Sequence, residues 1–83
     1  MSNYFTVAQA ARKLRTTIEL IDEQIQQGRV DPVDRNGLIF LSDRDVYRLK
    51  FIFYLQQERR LSSADIEQIL QDHRPPYSSW MER

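Results

Sequence analysis

The 83-residue sequence contains no cysteine, only two glycines and a single histidine. Without cysteine, the chain can form neither a disulfide framework nor a thiolate site. No stretch approaches the roughly 18 apolar residues that a membrane helix needs, and the first five residues lack the basic and apolar regions of a signal peptide. We therefore expect one small cytoplasmic protein that is stabilised by a compact core, by a partner, or by both.

An excess of charge is also missing, because 12 basic residues balance 12 acidic ones. Proteins that bind polyanions are usually basic overall, so the composition argues against a general nucleic-acid binder but leaves room for a local basic patch. Catalytic motifs are missing too. No serine, aspartate or cysteine arrangement accompanies His73 to form a triad or a metal site, and there is no glycine-rich phosphate loop, so we expect no enzyme activity, no metal and no cofactor.

The first third of the chain carries the signals of two helices joined by a short turn. Thr6 and the glutamine three residues later have the spacing of a capping box, which predicts a helix over residues 7–14. Either Thr16 or Thr17 can cap a second helix, in which Ile18, Ile21 and Ile25 recur at helical spacing until Gly28 ends it. Two helices this close predict a helix-turn-helix.

The remaining elements are a hairpin and two more helices. Asn36-Gly37 between apolar runs is the strongest short signal for a type I′ hairpin, and it predicts a small two-stranded wing. Ser42 should cap a third helix that ends near Arg59, and Ser62 should cap a fourth that ends near Gln71.

This order of elements predicts a mainly α fold of the winged helix-turn-helix type: a helix-turn-helix, a small two-stranded β wing and two further helices. We assign residues 1–74 to the domain. Pro75-Pro76 ends regular structure, so residues 75–83 are expected to be a C-terminal tail that frays or packs its aromatic side chains on the domain.

Three segments resemble the MerR family of winged helix-turn-helix regulators: residues 5–14 (FTVAQAARKL), residues 28–32 (GRVDP) and residues 41–52 (LSDRDVYRLKFI). They are similar, in order, to the family's opening helix, the exit from its second helix, and its third helix. The resemblance spans about residues 4–70 and implies a regulator, although fold alone does not determine function.

The second helix departs from the pattern of DNA-binding members, which carry arginine and tyrosine early in this helix. Here residues 18–24 (IELIDEQ) contain three acids and no base. Carboxylates repel phosphates and forgo the counterion release that supplies much of DNA affinity. Glu19, Asp22 and Glu23 are therefore candidate protein-binding residues, and the alternative is an ordinary solvated helix face.

The chain is also similar to a branch of the same family, the chaperone modulators of the CbpM type. That branch has an acidic second helix that ends in the motif Gly-x-Val-Glu-Pro, which residues 28–32 closely resemble. Residues 55–66 partly resemble a later motif of that branch. The resemblance implies a protein adaptor whose partner has a basic surface and belongs to the J-domain co-chaperones. The adaptor itself is expected to be a monomer or a weak homodimer.

Three aromatic residues of the third helix, Tyr47, Phe51 and Tyr54, are spaced i, i+4, i+7, away from its expected core positions Val46, Leu49, Ile52 and Leu55. Exposed aromatic rings favour a protein interface. The alternative is that they close the core or are covered by Tyr77 and Trp80.

The competing hypothesis is a DNA-binding transcription regulator, or an excisionase-like protein, of MerR type. Its contacts would come from five basic residues: Arg12, Lys13, Arg15, Arg35 and Arg48. Basic residues at the end of the first helix also have a structural explanation, because they oppose the helix dipole favourably.

Overall fold

The computed structural model describes residues 3–72, which form two compact units, residues 3–49 and residues 50–72. The elements in chain order are β1 (Tyr4–Thr6), α1 (Val7–Leu14), α2 (Ile18–Gln26), β2 (Val33–Arg35), β3 (Leu38–Ser42), α3 (Asp43–Gln57) and α4 (Ser63–Asp72). The division between the units falls within α3. His73 and the expected tail, with Tyr77 and Trp80, lie outside the described residues. No helix in residues 3–72 has both the length and the apolar character needed to span a membrane.

Helix α1 begins and ends where the sequence predicts. A capping box closes its first turn. The Gln9 amide donates to the Thr6 hydroxyl (3.1 Å), and the Thr6 amide donates to the Gln9 side-chain oxygen (2.9 Å). At the other end, Arg15 takes a left-handed conformation (φ 56°), and its amide bonds back to the last turn. The capping-box prediction is confirmed.

Helix α2 is capped by Thr17, whose hydroxyl accepts the Leu20 amide at 3.2 Å. Among the described residues, the buried hydroxyl of Thr16 has no hydrogen-bond partner, so Thr17 is the cap of the two candidates. After the helix, Gly28 has a φ of 72°, a conformation that glycine adopts without steric cost. The predicted stop at Gly28 is therefore confirmed.

The wing is a hairpin with the predicted turn. Asn36 (φ 55°) and Gly37 (φ 85°) both have positive φ, as a type I′ turn requires. Arg35 pairs with Leu38 across the turn, and the Gly37 amide donates to the Asp34 carboxylate at 3.0 Å.

The sheet, however, has three strands and not two, in the order β1-β3-β2. Residues Tyr4 to Thr6 pair antiparallel with Ser42 to Phe40. Two hydrogen bonds join Asn3 and Asp43 at the end of this strand pair. The Asn3 amide donates to the Asp43 carboxylate (3.0 Å), and the Asp43 amide donates to the Asn3 carbonyl (3.1 Å). The expectation of a two-stranded wing was thus incomplete, because β1 is too short to show a strand pattern and is stabilised by a distant strand.

Helix α3 also begins with a reciprocal cap. The Asp45 amide donates to the Ser42 hydroxyl, and the Ser42 amide donates to the Asp45 carboxylate, each at 3.2 Å. The other Asp45 oxygen accepts the Asp31 amide at 3.2 Å, so this buried carboxylate joins the loop before the wing to the start of α3. The helix ends at Gln57, slightly earlier than predicted, and left-handed Arg60 (φ 52°) follows it.

Each unit has its own set of buried apolar side chains. In the first unit these are Ala10, Ala11, Ile21, Val30, Leu41, Val46 and Leu49; in the second they are Phe51, Ile52, Phe53, Leu55, Ile66 and Leu70. The four predicted core positions of α3 are all among them, which confirms that prediction. The predicted cap of α4 is confirmed as well, since the Ser62 hydroxyl accepts the Asp65 amide at 3.2 Å.

Candidate functional site

The solvent side of α2 is acidic. Glu19, Asp22 and Glu23 are all exposed, whereas Ile21 and Gln24 on the opposite side are buried. At 100° per residue, Glu19 and Glu23 lie one turn apart in a single row. We refer to Glu19, Asp22 and Glu23 as the acidic face. It contains the three predicted protein-binding residues of α2.

Two large apolar side chains beside the acidic face are also exposed: Ile18 retains 44% of its accessible surface and Leu20 retains 38%. Ile18 shares its helical spacing with Ile21, but only Ile21 is buried. Leu20 lies outside the helical row formed by Ile18, Ile21 and Ile25, and this spacing was the available sequence signal. The combined surface presents acids and apolar side chains together.

The inner side of α2 is held by polar contacts that the sequence does not reveal. The Gln24 side-chain oxygen accepts a hydrogen bond from Arg29 Nη1 at 3.0 Å, and the two residues retain only 1% and 4% of their accessible surface. The Arg29 carbonyl in turn accepts a hydrogen bond from Arg48 Nε. This network ties the end of α2 to α3. It also gives Arg48, a candidate DNA contact, a structural role, since its side chain is half-buried.

The aromatic residues of α3 do not form the expected exposed row. Phe51 is completely buried, and Tyr47 and Tyr54 are half-buried. Phe51, Ile52 and Phe53 are buried in succession, so α3 is enclosed around most of its circumference at this point. The prediction that Phe51 lies at an interface surface is wrong. The roles proposed for Tyr47 and Tyr54 stay predictions.

The four other candidate DNA contacts are exposed. Arg12 and Lys13 lie in the last turn of α1, Arg15 lies in the turn that follows, and Arg35 is at the tip of the wing. Lys13 Nζ is 5.5 Å from the centre of the Phe5 ring, a cation–π distance. We refer to Arg12, Lys13 and Arg15 as the basic cluster.

In the described part of the chain, no group of three or more histidine, cysteine, aspartate or glutamate residues is arranged to hold a metal ion. The helix-turn-helix instead presents two charged surfaces, one basic and one acidic, and both are suited to binding macromolecules.

A family model described as "MerR HTH family regulatory protein" matches residues 5–73. No curated protein and no solved structure matched the chain. The family match includes both helices of the helix-turn-helix, the wing, α3 and α4.

Proposed function

This chain belongs to the MerR family of helix-turn-helix regulatory proteins, and we propose that it regulates by binding a protein, not an operator, through the acidic face of α2. In this proposal the chain is an adaptor without catalytic activity. Its partner has a basic surface.

The observation that carries the proposal is the exposure of three carboxylates on the helix that would enter the major groove. In a helix-turn-helix, the second helix approaches base edges and phosphates. Glu19, Asp22 and Glu23 are all exposed there, and α2 has no basic residue in its last turn. A carboxylate near a phosphate is repulsive and releases no counterions. The acidic face is therefore suited to the opposite kind of partner.

The exposed apolar side chains support a protein partner in particular. Ile18 and Leu20 lose hydration on contact with another apolar surface, whereas a phosphate backbone offers no such surface. Stable protein interfaces combine an apolar centre with a charged rim. Charges on such a rim act mainly by accelerating association with a partner of opposite sign.

The resemblance of residues 28–32 to the chaperone-modulator branch selects the J-domain of a DnaJ-like co-chaperone as the first partner to test. We propose to titrate the ¹⁵N-labelled chain with an isolated J-domain and, separately, with duplex DNA at about 150 mM salt, where weak non-specific binding is suppressed. The J-domain should shift the amide signals of α2, and the DNA should leave them unchanged.

Variants of exposed residues give the matched comparison. Asp22→Lys should slow association with the J-domain and make it less dependent on salt, because the charge acts through steering. Glu58→Lys makes the same charge change at an exposed position outside α2 and should have no effect. Equal effects of the two variants would contradict binding at the acidic face.

A second candidate function, DNA binding by the basic cluster and Arg35, is supported by the exposure of all four side chains and by the family itself. Tight, salt-sensitive binding of duplex DNA by the unmodified chain would favour this function over the protein-binding proposal. If the acids are the obstacle to DNA binding, replacing Glu19, Asp22 and Glu23 with Arg, Arg and Tyr should create DNA affinity.

A further inference from the structure

The helix-turn-helix surface carries two opposite charges next to each other along the chain. Residues 1–15 contain three bases and no acid, and residues 16–27 contain three acids and no base. All six side chains, those of the basic cluster and of the acidic face, are exposed. Helices α1 and α2 are in contact, and only the short turn that contains Arg15 joins them.

We propose that this chain pairs with a second copy of itself through this surface. In a dimer with a two-fold axis, every contact between two different patches occurs twice. If the first patch of one copy contacts the second patch of the other copy, symmetry produces the reverse contact as well. Here the basic cluster of each copy would face the acidic face of the other. A surface with three charges of each sign is neutral as a whole and complementary to itself.

The exposed apolar residues suit the same arrangement. Ile18 and Leu20 lie at the start of α2, between the basic cluster and the acidic residues Asp22 and Glu23 along the chain. Contact between two copies would remove these side chains from water. The occupant is a second copy because this chain itself supplies both the charge pattern and the apolar side chains that complement the surface.

Self-pairing would be weak and sensitive to salt, since exposed ion pairs contribute little individually and are screened by ions. It also has a regulatory consequence. A dimer of this kind covers the acidic face, so a basic partner protein must displace the second copy before it can bind. The proposal itself does not depend on any such partner, and it is tested on the chain alone.

The experiment is sedimentation velocity over a range of protein concentrations with two complementary sets of variants. The first set reverses the basic cluster (Arg12→Glu, Lys13→Glu and Arg15→Glu), and the second reverses the acidic face (Glu19→Lys, Asp22→Lys and Glu23→Lys). The unmodified chain should show a monomer–dimer equilibrium whose Kd rises when salt is increased from about 50 to about 500 mM, because the Debye length shortens severalfold. Each triple variant alone should be monomeric, since like charges then face each other, with a Kd raised at least about tenfold.

Mixing the two triple variants is the decisive measurement, because their surfaces are again complementary and a heterodimer should form. Far-UV circular dichroism checks that each variant is folded. Should a triple variant fail to fold, the single variants Arg12→Glu and Glu23→Lys provide the same comparison with a smaller effect. The control Arg44→Glu, exposed on α3, should leave the dimer unchanged.

Three outcomes would overturn the proposal. The unmodified chain could stay monomeric at low salt, both triple variants could still dimerise as the unmodified chain does, or two monomeric variants could fail to associate when mixed. The recovery of a dimer only in the mixture would support pairing of the basic cluster with the acidic face.

Discussion

Replacing Gln24 with leucine tests whether the polar network inside α2 stabilises the helix that carries the acidic face. In the native chain, the Gln24 oxygen accepts a hydrogen bond from the buried Arg29 guanidinium at 3.0 Å. Leucine has a similar volume but no acceptor, so Gln24→Leu removes this bond while the position stays filled. A hydrogen bond to a charged group contributes about 1.5–3 kcal/mol, and we expect the free energy of unfolding to fall by this amount.

The assay is urea unfolding followed by circular dichroism, in which the midpoint should fall while the slope stays constant. For a domain of this size the same loss corresponds to a drop in Tm of roughly 6–24 °C. The matched control is Gln26→Leu, the same substitution at an exposed position of the same helix, which should change stability by less than about 0.5 kcal/mol.

A double variant separates the lost hydrogen bond from a simple packing defect. Replacing both Gln24 and Arg29 with leucine removes the buried guanidinium together with the Gln24 acceptor, and replacing both partners by apolar groups is often neutral or stabilising relative to removing one partner alone. The double variant should therefore be more stable than Gln24→Leu. If Gln24→Leu and Gln26→Leu are equally stable, the reasoning about this network is refuted.

Four further substitutions test other parts of the fold. Phe51→Ala removes a completely buried ring and should lower the free energy of unfolding by about 3–5 kcal/mol. Tyr54 is only half-buried, so Tyr54→Ala should lower it by roughly half as much in the same thermal unfolding experiment. A Phe51→Ala variant as stable as the native chain would contradict the burial of this ring. Gly37→Ala places a Cβ at a φ of 85° and should cost about 1–2 kcal/mol, and an unchanged midpoint in urea would mean that the turn had rearranged. Asp45→Ala removes the acceptor of the Asp31 and Ser42 amides and should cost at least about 2 kcal/mol, to be measured by calorimetry; a loss equal to that of an exposed aspartate would refute the role of Asp45.

Several local elements could be derived from the sequence alone, because the interactions that define them join residues three or four positions apart. The cap between Thr6 and Gln9 sets the start of α1, and the positive φ values of Asn36 and Gly37 set the hairpin turn. The acidic character of α2 is likewise a property of composition. Each of these features involves only a few neighbouring residues, so a short segment of sequence is enough to predict it.

The tertiary structure decided everything that depends on residues distant in the chain. Strand β1 exists because it pairs with β3, and the Asn3–Asp43 hydrogen bond beside it spans 40 positions. The bond from Arg48 to the Arg29 carbonyl spans 19 positions and gives a structural role to a side chain that is also a candidate DNA contact.

Burial was decided at the same level. Periodicity shows which side chains share a helix face, but which faces are covered depends on what packs against them. For this reason Phe51 is buried although its spacing suggested an exposed row, and Ile18 is exposed although it has helical spacing with the buried Ile21. The acids of α2 could thus be identified from the sequence, whereas the apolar side chains exposed beside them became visible only in the folded chain.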